Sequence, residues 1–366
     1  MSLIAAIETI HLVIPFTHDG PPAGFLGEVW TNHELLIVKV TTSDGLIGYG
    51  EAFGFTGCAT TKLALKHQVA PLLLGKSAED IATTIGEAAR ILHVFGRSGA
   101  VMYALSAIDI ALWDIMGKRA GLPIWKLLGG SFRELLPAYA SKLHIGNVDG
   151  LSRALEATMR RGYRAVKLHE RTLEMVRASR QTIGRDAALM VDVNCAWTLP
   201  QAIAAAHSFA PFDIAWLEEP IWPPENHEAL TTLQRETGMV LSVGENIANC
   251  HDFLTASSVE GLQILQPSVI KVGGISGFVS AAKATRIAGR TIAPHSPYLG
   301  PGLLATMQMA FVFHEIEWIE HYSISLETPL YAEFDEVDAA GCFLLPDGPG
   351  LGADPQFAAL EKYRID

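Results

Sequence analysis

The chain has 366 residues, nearly half of them hydrophobic, enough to bury a large domain plus a smaller one and with no sign of disorder. A formal net charge of −12 and the lack of any lysine- or arginine-rich run argue against nucleic-acid or anionic-membrane partners, although a local metal or lysine could still hold a small anion. The four cysteines, Cys58, Cys195, Cys250 and Cys342, are far apart and form no C-x-x-C pair, so neither a zinc knuckle nor a disulfide framework is expected.

The opening stretch, MSLIAAIETIHLVIPF, is apolar but lacks a basic leader and a small-residue cleavage site, and it carries Glu8 and His11. It reads as a first strand. No apolar run reaches 18 residues, so no membrane span is expected and a reducing cytoplasm is the default. Residues 15–30, PFTHDGPPAGFLGEVW, read as a loop without regular structure, bearing His18, Phe25 and Trp30, and loops of that length in compact domains are often functional. LLIVKVTT and LIGYGEA flank a turn at Ser43–Gly45 and predict a hairpin. Residues 60–128 read as helices, and SAIDIALWDIMGKRAGL predicts a helix that stops near Gly121–Pro123. Strands followed by helices predict a small α+β domain over 1–128.

From about residue 137 short apolar runs recur, each ending in a polar residue: PAYASKL, RAVKLHE, ALMVDVN, IAWLEEP, VLSVGEN, LQILQPSVIK, TIAPHS and IEWIEHY. The steps from His169 to Asp192, Glu218, Glu245, Ser268, His295 and Glu320 are 23 to 27 residues, the length of a strand, loop and helix. Eight such units make a parallel barrel; the spacing also fits an open doubly wound sheet, though no G-x-G-x-x-G follows any strand.

Three consecutive strands deliver Asp192, Glu218 and Glu245. Close together they would repel, and a hard divalent cation removes that repulsion. Carboxylates without nearby cysteine or histidine on those strands point to Mg²⁺. Any one of these acids could be a solvated loop residue; the joint pattern carries the expectation. Lys167 and His169, two apart on the preceding strand, share a face, and His295 lies on the other flank. Bases on both sides of a metal suit removal of the α-proton of a bound carboxylate, with Lys167 beside the carboxylate oxygens and Glu320, if protonated, donating to one of them.

These motifs resemble the enolase superfamily, in its mandelate racemase and muconate-lactonizing group: SDGLIGYGEA and SAIDIALWDIMGKRAGLPIWKLLGG, then GYRAVKLHE, VDVNCAW, WLEEP, VGEN, IKVGG, APHS and PDGPGLG in family order. The resemblance implies an α+β capping domain (1–128), a modified (β/α)7β TIM barrel (129–320) and a C-terminal segment (321–366) packed back on the cap. It implies Asp192, Glu218 and Glu245 as Mg²⁺ ligands, Lys167, His169, His295 and Glu320 as catalytic residues, and substrate contacts from His18, Phe25, Trp30, Asn194 and Tyr298, with Phe53 and Phe55 beside the 15–30 loop, which in the family closes over the substrate. A homo-oligomer and a small acid-sugar carboxylate as partner follow from the same resemblance.

Two departures matter. The second strand has Lys167-x-His169 where the family commonly has two lysines, and Ser268 stands where an aspartate usually supports the histidine of the seventh strand. Ser268 adds no charge, so His295 is expected to be a weaker base but still a proton donor. Lys271, in the K-x-G-G position, is expected to be structural. Together these favour β-elimination on an acid sugar, or opening of its lactone or anhydro ring, over a racemase or epimerase; a silent carboxylate-binding homologue is the reading from another class.

Overall fold

A computed structural model of the chain describes residues 2–20, 24–25 and 28–365. Ile4–Thr17, Asn32–Thr42 and Ile47–Ala52 form an antiparallel sheet with Leu12 opposite Leu35 and Leu36 opposite Ala52. Side-chain alternation gives this sheet two apolar faces. Leu12, Ile14, Leu35 and Ile37 join the barrel core, and Leu36, Val38 and Val40 join the cap helices.

The helix Ala100–Ala120 ends at Gly121 in the left-handed region, where the sequence predicts the stop. It is long and apolar enough to cross a membrane, yet most of it is buried inside the cap. It lies directly on the strand Ile47–Ala52: a side chain on Gly50 would meet the Ala107 carbonyl oxygen at 1.9 Å. Only glycine permits that approach.

Eight parallel strands, Leu135–Ser141, Ala165–Leu168, Ala188–Asp192, Ile214–Glu218, Leu241–Val243, Leu262–Leu265, Thr291–Ile292 and Ile319–Tyr322, neighbour one another in that order, and the eighth pairs with the first. An Ile292–Ile316 bridge closes the seam between the seventh and eighth. The Ser296 amide and hydroxyl also donate across this seam, to Glu320. The sheet is therefore a barrel and not open. Its floor is a cluster of Tyr139, Ala165, Met190, Trp216, Ile264 and Ala293. Two residues further along their strands stand Lys167, Asp192, Glu218 and His295, on the same inward face one layer higher.

The segment after the barrel reaches both domains. Ser325–Leu326 and Arg364–Ile365 pair with the first cap strand, while Cys342–Leu344 pairs with the first barrel strand. Buried Asp114 accepts from the amides of Tyr49 in the cap (3.0 Å) and Leu351 in this tail (2.9 Å).

The described residues of the stretch 15–30 include regular structure where a loop is expected. The first strand runs on to Thr17, because Pro15 faces Asn32 on one side and Phe16 faces Leu326 on the other. Gly24–Phe25 then pairs with Glu28–Val29.

His33 is buried among the rings of Trp30, Phe55 and Tyr322, 5.9 to 6.1 Å away. Burial lowers its pKa to about 4. The unfolded chain takes up this proton near pH 6.5 and the folded chain only near 4, so stability is lost as pH falls through that interval, by about 2 kcal/mol at pH 5. His33→Phe should therefore show a smaller drop in Tm between pH 7 and pH 5 than the parent; equal drops would mean that His33 is not held neutral.

Candidate metal and proton-transfer site

Lys167 stands at the centre of the barrel mouth, 1 % exposed. Its ammonium is 2.7 Å from Glu218 Oε1, 2.9 Å from Glu320 Oε1 and 3.3 Å from Asp192 Oδ2. Burial works against its charge, but Glu218 and Glu320 outweigh it and raise its pKa well above the ordinary lysine value. The carboxylates around it favour the charged form of Lys167.

Asp192, Glu218 and Glu245 each offer an oxygen within 4.8 Å of the others. Asp192 and Glu218 end adjacent strands and face each other in register. Glu245 sits two residues past its strand and is less deeply buried. Burial opposes charge on all three. Asp192 is nevertheless held well below the usual carboxylate range by Lys167 and His169, and Glu245 by His295 and Lys271. Glu218 has no such surplus, and burial pushes it up to about 8. Asp192, Glu218 and Glu320 thus crowd one ammonium, and the charge on Glu218 is the one disfavoured. A hard cation held by Asp192, Glu218 and Glu245 would relieve that, and the all-oxygen donor set suits Mg²⁺. Trp216 Nε1 donates to the second oxygen of Glu218 at 2.9 Å and fixes its orientation.

His169 Nδ1 lies 2.6 Å from the carbonyl oxygen of Lys142. A carbonyl only accepts, so Nδ1 carries a proton and Nε2 points toward Asp192, 3.2 Å away. On the opposite wall His295 Nε2 is 3.1 Å from Glu245 Oε2, and its Nδ1 is 3.0 Å from the Tyr298 hydroxyl. The same hydroxyl is hydrogen-bonded to Ser268. Ser268 therefore reaches His295 only through Tyr298.

A cavity of about 1210 Å³ opens over these groups. Lys167, His169, Asp192, Asn194, Glu245, His295 and Glu320 line it. Trp30, Phe53, Phe55 and Tyr322 form an aromatic wall, with Trp30 5.4 Å from Phe55 and Phe53 5.0 Å from Phe55.

Three expectations change. Tyr298 is not a substrate contact: it is 2 % exposed and lies behind His295, off the cavity lining. His18 is not on that lining either; its ring packs toward Phe16 and its Nδ1 accepts from the Gly20 amide. Glu320 is no hydrogen-bond donor. Its two oxygens accept from Lys167 and from the Ser296 amide, and despite burial the lysine lowers its pKa, so it is the counter-charge of Lys167. The side chain of Phe25 lies outside the described part of the structure.

Several residues were undervalued or missed. Lys271 is on the cavity wall, 3.6 Å from Glu245 and 4.2 Å from the Phe53 ring centre. The K-x-G-G motif was its available signal. Glu219, the second acid of WLEEP, lines the cavity with its pKa pushed up to about 9 by burial, and accepts from the Cys195 thiol. Asn194, Cys195 and Glu219 all have positive φ (46°, 57° and 40°), a cluster of strained backbone immediately past two of the acidic strands. Trp222, 72 % exposed, stands at the rim.

Two family models match the chain. The mandelate racemase / muconate lactonizing enzyme N-terminal domain covers residues 21–129, and the enolase C-terminal domain-like model covers 150–359. The chain is 31 % identical over 340 residues to a 3,6-anhydro-α-L-galactonate cycloisomerase of Streptomyces coelicolor, covering 91 % of this chain and 92 % of the relative. It is 28 % identical over 343 residues to an arabinonate dehydratase of Saccharolobus solfataricus, covering 90 % and 91 %. Among solved structures, a Streptomyces coelicolor racemase with bound magnesium superposes with a TM-score of 0.87 at 29 % identity, covering 99 % of this chain and all of that one.

A ligand at a hundred times its dissociation constant stabilises a fold by about 2.7 kcal/mol. Mg²⁺ at that excess should raise Tm accordingly, and Asp192→Asn should abolish the rise; an undiminished rise in the variant would put the ion elsewhere.

Proposed function

The chain belongs to the enolase superfamily, in its mandelate racemase / muconate lactonizing enzyme group, and on that premise we propose that it removes the α-proton of a small hydroxylated carboxylate and expels a β-oxygen. The substrate class is an acid sugar, or its lactone or anhydro form, and the product is a 2-keto acid. The carrying observation is that the two histidines flanking the acidic cup have different Nδ1 partners, a backbone carbonyl for His169 and a phenol for His295.

Asp192, Glu218 and Glu245 would hold Mg²⁺, which when bound would supply positive charge to offset the second negative charge that appears as the α-proton leaves. Lys167, whose charged form the surrounding carboxylates favour, adds positive charge beside the cup, with Glu320 as its counter-charge. His169 donates through Nδ1 to the Lys142 carbonyl and aims Nε2 at the cup, 3.2 Å from Asp192; with that carboxylate engaged on the cation, Nε2 would be free to act as the base. It takes the α-proton. The C–H electron pair becomes the new C=C bond, the C–O bond breaks with its pair on oxygen, and His295 on the far wall protonates that oxygen. The resulting enol becomes the 2-keto acid. The aromatic wall of Trp30, Phe53, Phe55 and Tyr322 excludes water from the reacting atoms.

The cycloisomerase and dehydratase relatives support this class of reaction. A racemase would need competent bases on both faces, and Lys271, which like His295 contacts Glu245, is engaged with Asn246 (3.1 Å) and the Phe53 ring.

A panel of aldonic, aldaric, lactone and anhydro acids, assayed with Mg²⁺ for 2-keto acid formation, tests the proposal. At least one should react, and His169→Asn should slow it by roughly 10²-fold or more. In D₂O, recovery of an α-deuterated product of inverted configuration with its β-oxygen intact would overturn elimination in favour of racemization.

A further inference from the structure

Away from the acidic cup, we infer a second cation site in the cap: His11, Glu34 and Cys58 hold one zinc-type divalent ion that pins the turn bearing Phe53 and Phe55. Each of the three offers a ligand atom within 4.8 Å of the others, and among the described residues only this trio and the cup bring such groups together. They come from three elements. His11 on the first cap strand faces Leu36 of the strand Asn32–Thr42, and Glu34 lies two residues before Leu36, so both side chains share the sheet face that meets the cap helices. Cys58 opens the helix Cys58–Ala64 and packs in the same apolar cluster as Leu36.

Contacts within the protein account for two of the three groups. His11 Nε2 meets Glu34 Oε2 at 3.0 Å, whereas the Cys58 thiol, 1 % exposed, has no hydrogen-bond partner among the described residues. Burial raises the pKa of that thiol, and the nearby Glu34 and Glu51 raise it further. Glu51 is itself buried, and burial pushes it up to about 7. Two carboxyls and a thiol thus gather around one imidazole, and a divalent ion lets them carry charge together. The donor set selects the ion. Sulfur, imidazole nitrogen and one carboxylate oxygen suit zinc, whereas the all-oxygen cup suits Mg²⁺. On binding, the thiol proton leaves to solvent as the sulfur–zinc bond forms, and no electron is transferred. Three protein ligands leave a fourth position for water, and Glu34 and Glu51 border a cavity of about 10 Å³, room for one water. The Glu34 side chain is 27 % exposed and gives the ion a way in.

The site lies at the root of the aromatic wall. The chain leaves the strand Ile47–Ala52, turns through Phe53 and Phe55, which line the large cavity, and enters the helix at Cys58. Phe55 has a φ of 39°, a conformation an aromatic residue keeps only where its surroundings fix it. Gly54 is folded against the sulfur: a side chain there would meet Cys58 Sγ at 2.6 Å. An ion on Cys58 ties the far end of this turn to two strands of the cap sheet through His11 and Glu34, and so steadies the wall that faces the cup.

Titration of the metal-stripped chain with Co²⁺, with Mg²⁺ in excess to occupy the cup, tests the site. A single equivalent should bring up a thiolate-to-cobalt charge-transfer band in the near ultraviolet, and Zn²⁺ should bleach it. Cys58→Ser should lose the band. His11→Gln and Glu34→Gln should each weaken Co²⁺ binding at least about tenfold. Cys195→Ser and Asp192→Asn should leave the band in place. In hydrogen exchange, Zn²⁺ should slow the amides of residues 54–58 in the parent and not in Cys58→Ser. No band in the folded parent, or a band that survives Cys58→Ser, would overturn the site; so would loss of the band in Cys195→Ser, which would put the ion beside the cup. Should Cys58→Ser fail to fold, undiminished binding in both His11→Gln and Glu34→Gln would overturn it as well. None of these readouts uses a substrate, so they stand apart from the functional reading.

Discussion

Three buried carboxylates share one buried ammonium at the mouth of the barrel with a fourth beside them, and the rest of the site follows from that crowding. Asp192, Glu218 and Glu320 each contact Lys167, and Glu245 leans on His295 and Lys271 instead. Such a cluster is weak evidence for stability, because the cost of desolvating the charges offsets their attraction. Its use is electrostatic. The barrel gathers acids among which the charge on Glu218 is disfavoured without an added cation, and holds them on strands whose lower layer is fully packed. Side-chain alternation does the rest: the residues two steps past the packed floor are the ones that meet in the mouth.

Around this cup the protein treats two identical side chains differently through what touches their second nitrogen. His169 is tied to the backbone of Lys142, whose own ammonium is fastened to Asp19 at the base of the cap loop and to Ser323 after the eighth strand. The cap and the tail therefore both bear on His169. His295 depends on a hydroxyl pair within the barrel. The asymmetry suits a reaction with one proton leaving carbon and another arriving at oxygen.

Much of the architecture was legible in the residues. The regular spacing of polar strand ends follows from the length of a strand-loop-helix unit, and the acids at Asp192, Glu218 and Glu245 stand out because three like charges in one mouth demand an explanation. What stayed hidden depends on three-dimensional packing. Tyr298 lies only three residues from His295, and nothing in APHSPYLGPG says that its ring turns back beneath the histidine and away from the cavity. Glu320 read as a donor because its partner Lys167 lies 153 positions away in the chain, and the charge state of a carboxylate is set by such partners. Lys271 read as structural because the motif around it resembles a turn, yet its ammonium reaches the wall beside Glu245. His18 and Trp30 sit in the same Gly- and Pro-rich stretch, but only Trp30 turns toward the cavity.

The most direct test of the acidic cup is crystallography of the chain soaked with Mn²⁺ as a stand-in for Mg²⁺, reading the anomalous difference density. The account predicts one strong peak within coordination distance of Asp192, Glu218 and Glu245. No peak there, with Lys167 still bridging those carboxylates and the metal bound at another surface, would contradict it.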